Sequence, residues 1–130
     1  VSGGFLFARK GEILFRKVVG KVHVHRDDLI SSQSPFNVGS VSKQFTAMAI
    51  MLLNHQGKLT FDQKVAFHLP DFPYADIRIR HLLNHTSGTI DYEKLTDKHW
   101  QIRDFTNQDM VNLLKRFTPD LAFNPGARFD

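Results

Sequence analysis

The spacing of apolar and polar positions predicts a β-hairpin, a loop, one long helix and then a run of short helices. Near the start, Phe5 and Phe7 alternate with Leu6 and Ala8. Arg9-Lys10-Gly11-Glu12 has the composition of a turn, and Ile13-Leu14-Phe15 resumes an apolar run to Val18-Val19-Gly20. This pattern predicts the hairpin. Lys21-Val22-His23-Val24-His25 alternates at period two and extends or follows the second strand. Residues 26–37, with Asp, Ser, Gln, Pro and Asn, predict a loop.

The strongest helical pattern runs from Ser40 to Gln56. Val41, Phe45, Met48, Ala49 and Leu52 form one stripe, and Ala47, Ile50, Met51 and Leu53 cover most of the remaining face. A helix apolar nearly all round predicts a buried central position, with Gly57 as its stop. Residues 58–76, punctuated by Pro70 and Pro73, predict short helical turns and loops, and Ile77-Arg78-Ile79 a brief extended piece. A short helix is expected over Arg80 to Asn84. Thr106, with Asp109 three residues on, reads as a capping box opening an amphipathic helix that runs to about Phe117. Asn124-Pro125-Gly126 is a turn.

Composition narrows the function classes. The chain has 130 residues, one domain's worth, with 42% hydrophobic and 23% charged residues, so it is a folded globular chain and not a disordered one. Twelve Phe against two Tyr and one Trp predict a core of large rings that need no hydrogen-bond partner. The absence of Cys excludes a disulfide scaffold, thiol catalysis and thiolate metal sites. No window approaches the roughly 18 consecutive apolar residues of a membrane span, and no signal peptide is visible. The net charge of +4 comes from the first 26 residues, where Arg9, Lys10, Arg16, Lys17, Lys21 and Arg26 face Glu12 alone. A nucleic-acid surface would use such a patch. The solvated face of a β-ribbon, where cations discourage edge pairing, accounts for it better, and no nucleic-acid partner is expected.

The segment Phe36-Asn37-Val38-Gly39-Ser40-Val41-Ser42-Lys43 carries the candidate chemistry. A serine at the start of a helix and a lysine three residues later share a face. A serine hydroxyl is a poor nucleophile until a base takes its proton. Burial of Lys43 in an apolar helix would favour its neutral, basic amine. The helix N-terminus would favour a developing oxyanion, with the Ser40 N–H as a natural donor. The competing reading makes Ser40 an ordinary N-cap and Lys43 an exposed first-turn residue. Ser42, offset by about 200°, does not share the face of Ser40.

The same segment, continued through Gln44-Phe45-Thr46-Ala47, resembles the nucleophile region of serine β-lactamase-related proteins, a group that includes class C β-lactamases, penicillin-binding DD-carboxypeptidases and related esterases. The resemblance runs from about Gly4 to Phe129. It is carried also by Gly57-Lys58-Leu59-Thr60-Phe61-Asp62, Leu69-Pro70-Asp71-Phe72-Pro73, Ile79-Arg80-His81-Leu82-Leu83-Asn84-His85-Thr86-Ser87-Gly88 and Asn124-Pro125-Gly126-Ala127-Arg128-Phe129. Five segments in the right order make a specific signal.

The resemblance implies an α+β fold of the β-lactamase/transpeptidase type, an antiparallel sheet flanked by helices with a helical subdomain. Residues 1–130 would be an incomplete N-terminal portion, with a hairpin over 1–26 and a mainly helical part over 36–130. It implies catalytic roles for Ser40 as the acylated nucleophile and Lys43 as its general base. The substrate would be a β-lactam, a D-Ala-D-Ala peptide or an ester, a small molecule or peptide in each case. No cofactor is needed, and a periplasmic or extracytoplasmic location is usual. Tyr92 is expected at the cleft rim as a substrate contact, although Asp91, Tyr92 and Glu93 also read as a solvated loop. The family's Tyr-x-Asn motif would begin just after Asp130 and its Lys-Thr-Gly-type strand much later, so the isolated chain is expected to be inactive or nearly so. The rival reading is a non-catalytic fragment or pseudoenzyme that self-associates through an open sheet edge.

The histidines offer weaker constellations. His81 and His85 have a metal-like spacing of four, but Leu82 stands where a zincin needs Glu, and the match to His-Thr-Ser-Gly makes His85 a loop-organising residue. His23 and His25 read as a polar strand face.

Overall fold

The computed structural model describes residues 1–100 and 104–130. They form two compact units, Val1–Ser42 and Lys43–Asp130.

The first unit is built on an antiparallel hairpin of β1 (Gly3–Arg9) and β2 (Glu12–Val19). Lys10 (φ 50°) and Gly11 (φ 84°) both take left-handed backbone at the tip, the geometry that matches the right-handed twist of the flanking strands. Phe7 lies opposite Phe15, and a register irregularity between Phe7 and Ala8 brings Ala8 opposite Ile13. The second strand does not continue through His25. Gly20 turns with φ 91°, and the chain folds back, with Val22 N–H donating to Asp28 O (2.9 Å) and Ile30 N–H to Gly20 O (3.0 Å). The alternation of residues 21–25 is therefore that of a small closed loop. Its apolar members, Val22 and Val24, are exposed.

The second unit holds α1 (Lys43–His55), α2 (Val65–His68), α3 (Ile79–Leu83), α4 (Tyr92–His99) and α5 (Asn107–Phe117). Its core gathers Val65, Phe72, Tyr74, Ile77, Leu95, Leu113 and Leu114, with Trp100 and Phe105 packed against it. Only Phe72 represents the twelve phenylalanines among these buried positions. Tyr74 belongs to the core because its hydroxyl has a partner, donating to Pro119 O at 2.7 Å. Burial, and secondarily the charge of Asp120, raises its pKa above 10.0.

Helix α1 ends as its sequence predicts. Gly57 adopts φ 69°, and Lys58 N–H reaches back to Leu53 O at 2.9 Å. Its predicted burial is not met. No residue of α1 is buried, and Phe45 (69% exposed), Met48 (54%) and Leu52 (52%) present an open apolar stripe. An all-apolar helix is buried only when neighbours cover every side. Here Ala47, Ile50, Leu53 and Asn54 alone are partly covered. Among the described residues, no helix is long and apolar enough to cross a membrane.

Helix α5 carries the expected capping box. Thr106 Oγ1 accepts from Asp109 N–H (3.2 Å), and the Asp109 carboxylate accepts from Thr106 N–H (2.9 Å). Residues 92–99 form a helix where a loop was expected at its start. Asp91 caps it, its carboxylate accepting from Glu93 N–H at 3.1 Å.

Candidate active site

Ser40 lies in the 3₁₀ turn Gly39–Ser42 of the first unit and is exposed. The turn is prepared by its neighbours. Asn37 Oδ1 accepts from Gly39 N–H at 2.9 Å, Val41 N–H closes on Val38 O at 3.1 Å, and Ser42 Oγ donates to Gly39 O at 2.7 Å. Gly39 adopts φ 51°, a conformation glycine takes without penalty. The chain therefore reverses hand immediately before Ser40, and the space around Gly39 is open to an approaching group.

Lys43 opens α1 in the second unit. It is exposed, so the apolar burial expected around its amine is not present among the described residues. Its side chain borders an apolar cavity of about 520 Å³ lined by Ala47, Ile50, Leu59, Val65, Ile79 and Leu83. Tyr92, at the first turn of α4, lines a second cavity of about 460 Å³ with Ser87, Thr89, Asp91, Met110 and Asp130. Within this unit Leu82 and His85 border both cavities. Lys43 and Tyr92 thus stand at two openings that share a wall. Tyr92 is 54% exposed, and its hydroxyl lies 3.5 Å from the Glu93 carboxylate.

That shared wall is organised by a clamp between residues 81–88 and 122–130. Ala122 N–H donates to Gly88 O (2.8 Å), Gly126 N–H to Thr86 O (2.7 Å) and Asp130 N–H to His85 O (2.9 Å). Gly88 takes φ 73°, and a Cβ there would drive into the Phe123 carbonyl. His85, at φ 53°, sets its ring 5.6 Å from that of Phe129. The loop-organising part read for His85 thus has a physical form. Ser87 is buried, its hydroxyl 3.0 Å from that of Thr89.

His81 supports the clamp from below. Its Nδ1 accepts from Arg78 N–H at 3.2 Å, capping α3, and its Nε2 lies beside Gly126. The accepting nitrogen must be unprotonated. Burial, then the cations of Arg78 and Arg80, push its pKa below 6.5 against an opposing pull from Asp62. Asp62 pairs with Arg80, and its carbonyl accepts from the Arg78 guanidinium. Among the described residues, no group of three or more His, Asp or Glu side chains is placed to hold a metal ion.

Sequence reading found both halves of the clamp as separate motifs and missed that they join. The available signals were Gly88 and Gly126, each at a positive φ. The turn preceding Ser40 was likewise signalled only by Gly39.

The chain is 40% identical over 114 residues to penicillin-binding protein 4* of Bacillus subtilis, covering 87% of this chain and 25% of that protein. It is 31% identical to esterase EstB of Burkholderia gladioli, covering 94% of this chain and 35% of the esterase. The crystal structure of a penicillin-binding protein from Bacillus halodurans superposes with a TM-score of 0.79 at 32% identity, covering 99% of this chain and 40% of that one. This likeness fixes the fold as the α+β, β-lactamase-like type. The chain spans between a quarter and about two fifths of the length of these relatives. The Beta-lactamase family profile matches residues 1–130 from end to end, and the chain belongs to that family.

Proposed function

We propose that the chain carries the acylating nucleophile of a serine acyl-transfer hydrolase, with Ser40 as nucleophile and Lys43 as its general base. Family membership supports serine acyl transfer as the reaction type. The observation that carries the assignment to Ser40 is its place directly after the left-handed Gly39, exposed on a short turn, three residues ahead of Lys43. Ser40 Oγ attacks the carbonyl carbon of a β-lactam, a D-Ala-D-Ala peptide or an ester. Its proton passes to the Lys43 amine and on to the departing nitrogen or oxygen as the scissile bond breaks. Water then attacks the acyl-enzyme, releases the acid and returns the proton to Ser40. The names of the relatives, a penicillin-binding protein and an esterase, bracket this range of substrates.

Tyr92 contacts the substrate from the rim of its cavity. Turnover by the 130 residues alone is low, because an oxyanion-hole donor or a base missing from a site costs a factor of about 10² or more each. An extracytoplasmic location follows from the same family reading.

The test is intact mass after incubation with a fluorophosphonate and, separately, a reactive β-lactam. One adduct, lost in Ser40→Ala, supports the assignment; wild-type protein without an adduct refutes it. A second reading is association through the hairpin. Among the described residues β1 and β2 pair only with each other, and Leu6, Phe7, Ile13, Leu14 and Phe15 are each more than half exposed. Concentration-dependent self-association without labelling favours it.

A further inference from the structure

Resting on Ser40 as nucleophile, we propose that Asn37 and Ser42 are positioning residues that together fix the peptide planes on either side of Gly39 and so aim the backbone of Ser40. The argument is geometric and lies within one turn. A peptide unit is planar and trans, so its N–H and C=O point in opposite directions. The Gly39 N–H belongs to the plane that enters the glycine, and Asn37 Oδ1 holds it at 2.9 Å. The Gly39 carbonyl belongs to the plane that joins Gly39 to Ser40, and Ser42 Oγ holds it at 2.7 Å.

That second plane also contains the Ser40 N–H. By gripping the carbonyl, Ser42 sets the direction of the opposite N–H, the group suited to receive an oxyanion formed at the Ser40 acyl carbon. Glycine alone does not choose between positive and negative φ. With its entering and leaving planes both held, Gly39 is confined to φ 51°. The Val41 N–H to Val38 O bond, 3.1 Å, closes the turn and holds the carbonyl end of the entering plane, whose N–H end Asn37 holds. Ser42 is therefore a working part of the turn although it does not share the face of Ser40. Neither side chain touches the reacting atoms.

The experiment measures labelling of Ser40 by a fluorophosphonate as a function of probe concentration. This separates the limiting acylation rate from the concentration giving half that rate. Misplacing a reacting group by about 1 Å costs up to about 10²-fold in rate. Asn37→Ala and Ser42→Ala should each lower the limiting rate about tenfold or more, with the half-rate concentration changed less than about twofold. Asn37→Asp retains the accepting oxygen and Ser42→Thr the donating hydroxyl, so both should recover most of the rate. The double alanine variant should lose less than the product of the single losses, because both bonds restrain one glycine. The pH midpoint of the limiting rate should stay at the wild-type value in both single alanine variants and in the double one, since none alters Lys43 or adds a charge. Circular dichroism confirms that each variant is folded.

Alanine variants that acylate at the wild-type rate would overturn the proposal and leave Ser40 as the nucleophile. Equal losses in the alanine and the conservative variants would also overturn it. Wild-type protein that takes no adduct would overturn the reading of Ser40 and this proposal with it.

Discussion

Replacing Gly88 by alanine tests the clamp between residues 81–88 and 122–130. Three costs add. Alanine at φ 73° is strained by about 1 kcal/mol. The new Cβ meets the Phe123 carbonyl oxygen, with Phe123 C at 3.2 Å and Cδ2 at 3.3 Å behind it. Because the obstacle is backbone, tied down at the next residue by the Ala122 N–H to Gly88 O bond, overpacking costs about 1–3 kcal/mol. If Phe123 retreats, the Ala122 to Gly88 bond lengthens, a loss of about 1 kcal/mol. The stiffer unfolded chain returns about 0.5 kcal/mol. The expected net loss is about 3 kcal/mol, a large part of the few to about 10 kcal/mol available to a domain of this size. Urea unfolding followed through Trp100, the one tryptophan, is the assay, since Trp100 packs edge-on against Phe105 at 5.2 Å beside the second unit's core. The midpoint should fall with an unchanged slope. Gly57→Ala is the control, because Gly57 has φ 69° but nothing within 4 Å of a Cβ, so only the strain of about 1 kcal/mol applies. Equal losses at Gly57 and Gly88 would refute the steric argument.

Three further outcomes follow from the same contacts. Thr106→Ala removes the N-cap of α5 and should destabilise by about 1 kcal/mol in the same urea assay, with Thr106→Ser restoring most of it. The lowered pKa of His81 means that its contribution to stability is present above 6.5 and is lost as pH falls through the folded-state value. The unfolding free energy of the wild type should therefore drop more between pH 7.5 and pH 5 than that of His81→Gln, in which no ring titrates. Tyr74→Phe removes the hydroxyl donor to Pro119 O and should cost about 1 kcal/mol at pH 7. Because the Tyr74 pKa is raised above 10.0, that difference should shrink as pH rises through the folded-state value.

Local rules were legible where the signal was local. The Lys10-Gly11 tip and the Thr106/Asp109 capping box each depend on a few neighbouring residues, and both formed as their residue types require. Period-two alternation at residues 21–25 misled because Gly20 reverses the chain first, and a glycine at φ 91° overrides any strand pattern that follows it. Helix α4 was hidden because Leu95 is its only buried residue, too little for a helical period to show. Its signal was the N-cap Asp91. The all-apolar helix α1 was recognised as a helix, but periodicity tells which faces are apolar and not what covers them.

The candidate site divides in the same way. Ser40 and Lys43 stand out by spacing. The grip of Asn37 on Gly39 spans only two residues but needs φ 51°, which composition does not state. The clamp joins residues more than thirty positions apart through backbone atoms, and side-chain identity carries almost no trace of such bonds.

The clamp also makes the stretch between its two halves a closed excursion. Residues 89–121 leave at Gly88 and return at Ala122, and the hydrogen bond between those residues is its neck. Once a neck is closed, the entropy of the loop depends only weakly on its length, with a doubling costing about 0.6 kcal/mol. Among its described residues this excursion supplies Leu95 from α4 and Leu113 and Leu114 from α5 to the core, packs Ile90, Trp100, Phe105, Met110 and Leu121 against it, and offers Pro119 O to the Tyr74 hydroxyl. Provided those contacts and the neck are kept, the exposed turn bearing Tyr92 can be exchanged while the wall behind it holds its shape. The rim of the cavity is thus a replaceable module on a fixed base, and under the proposed role of Tyr92 grafting a different rim onto the same neck should alter substrate preference.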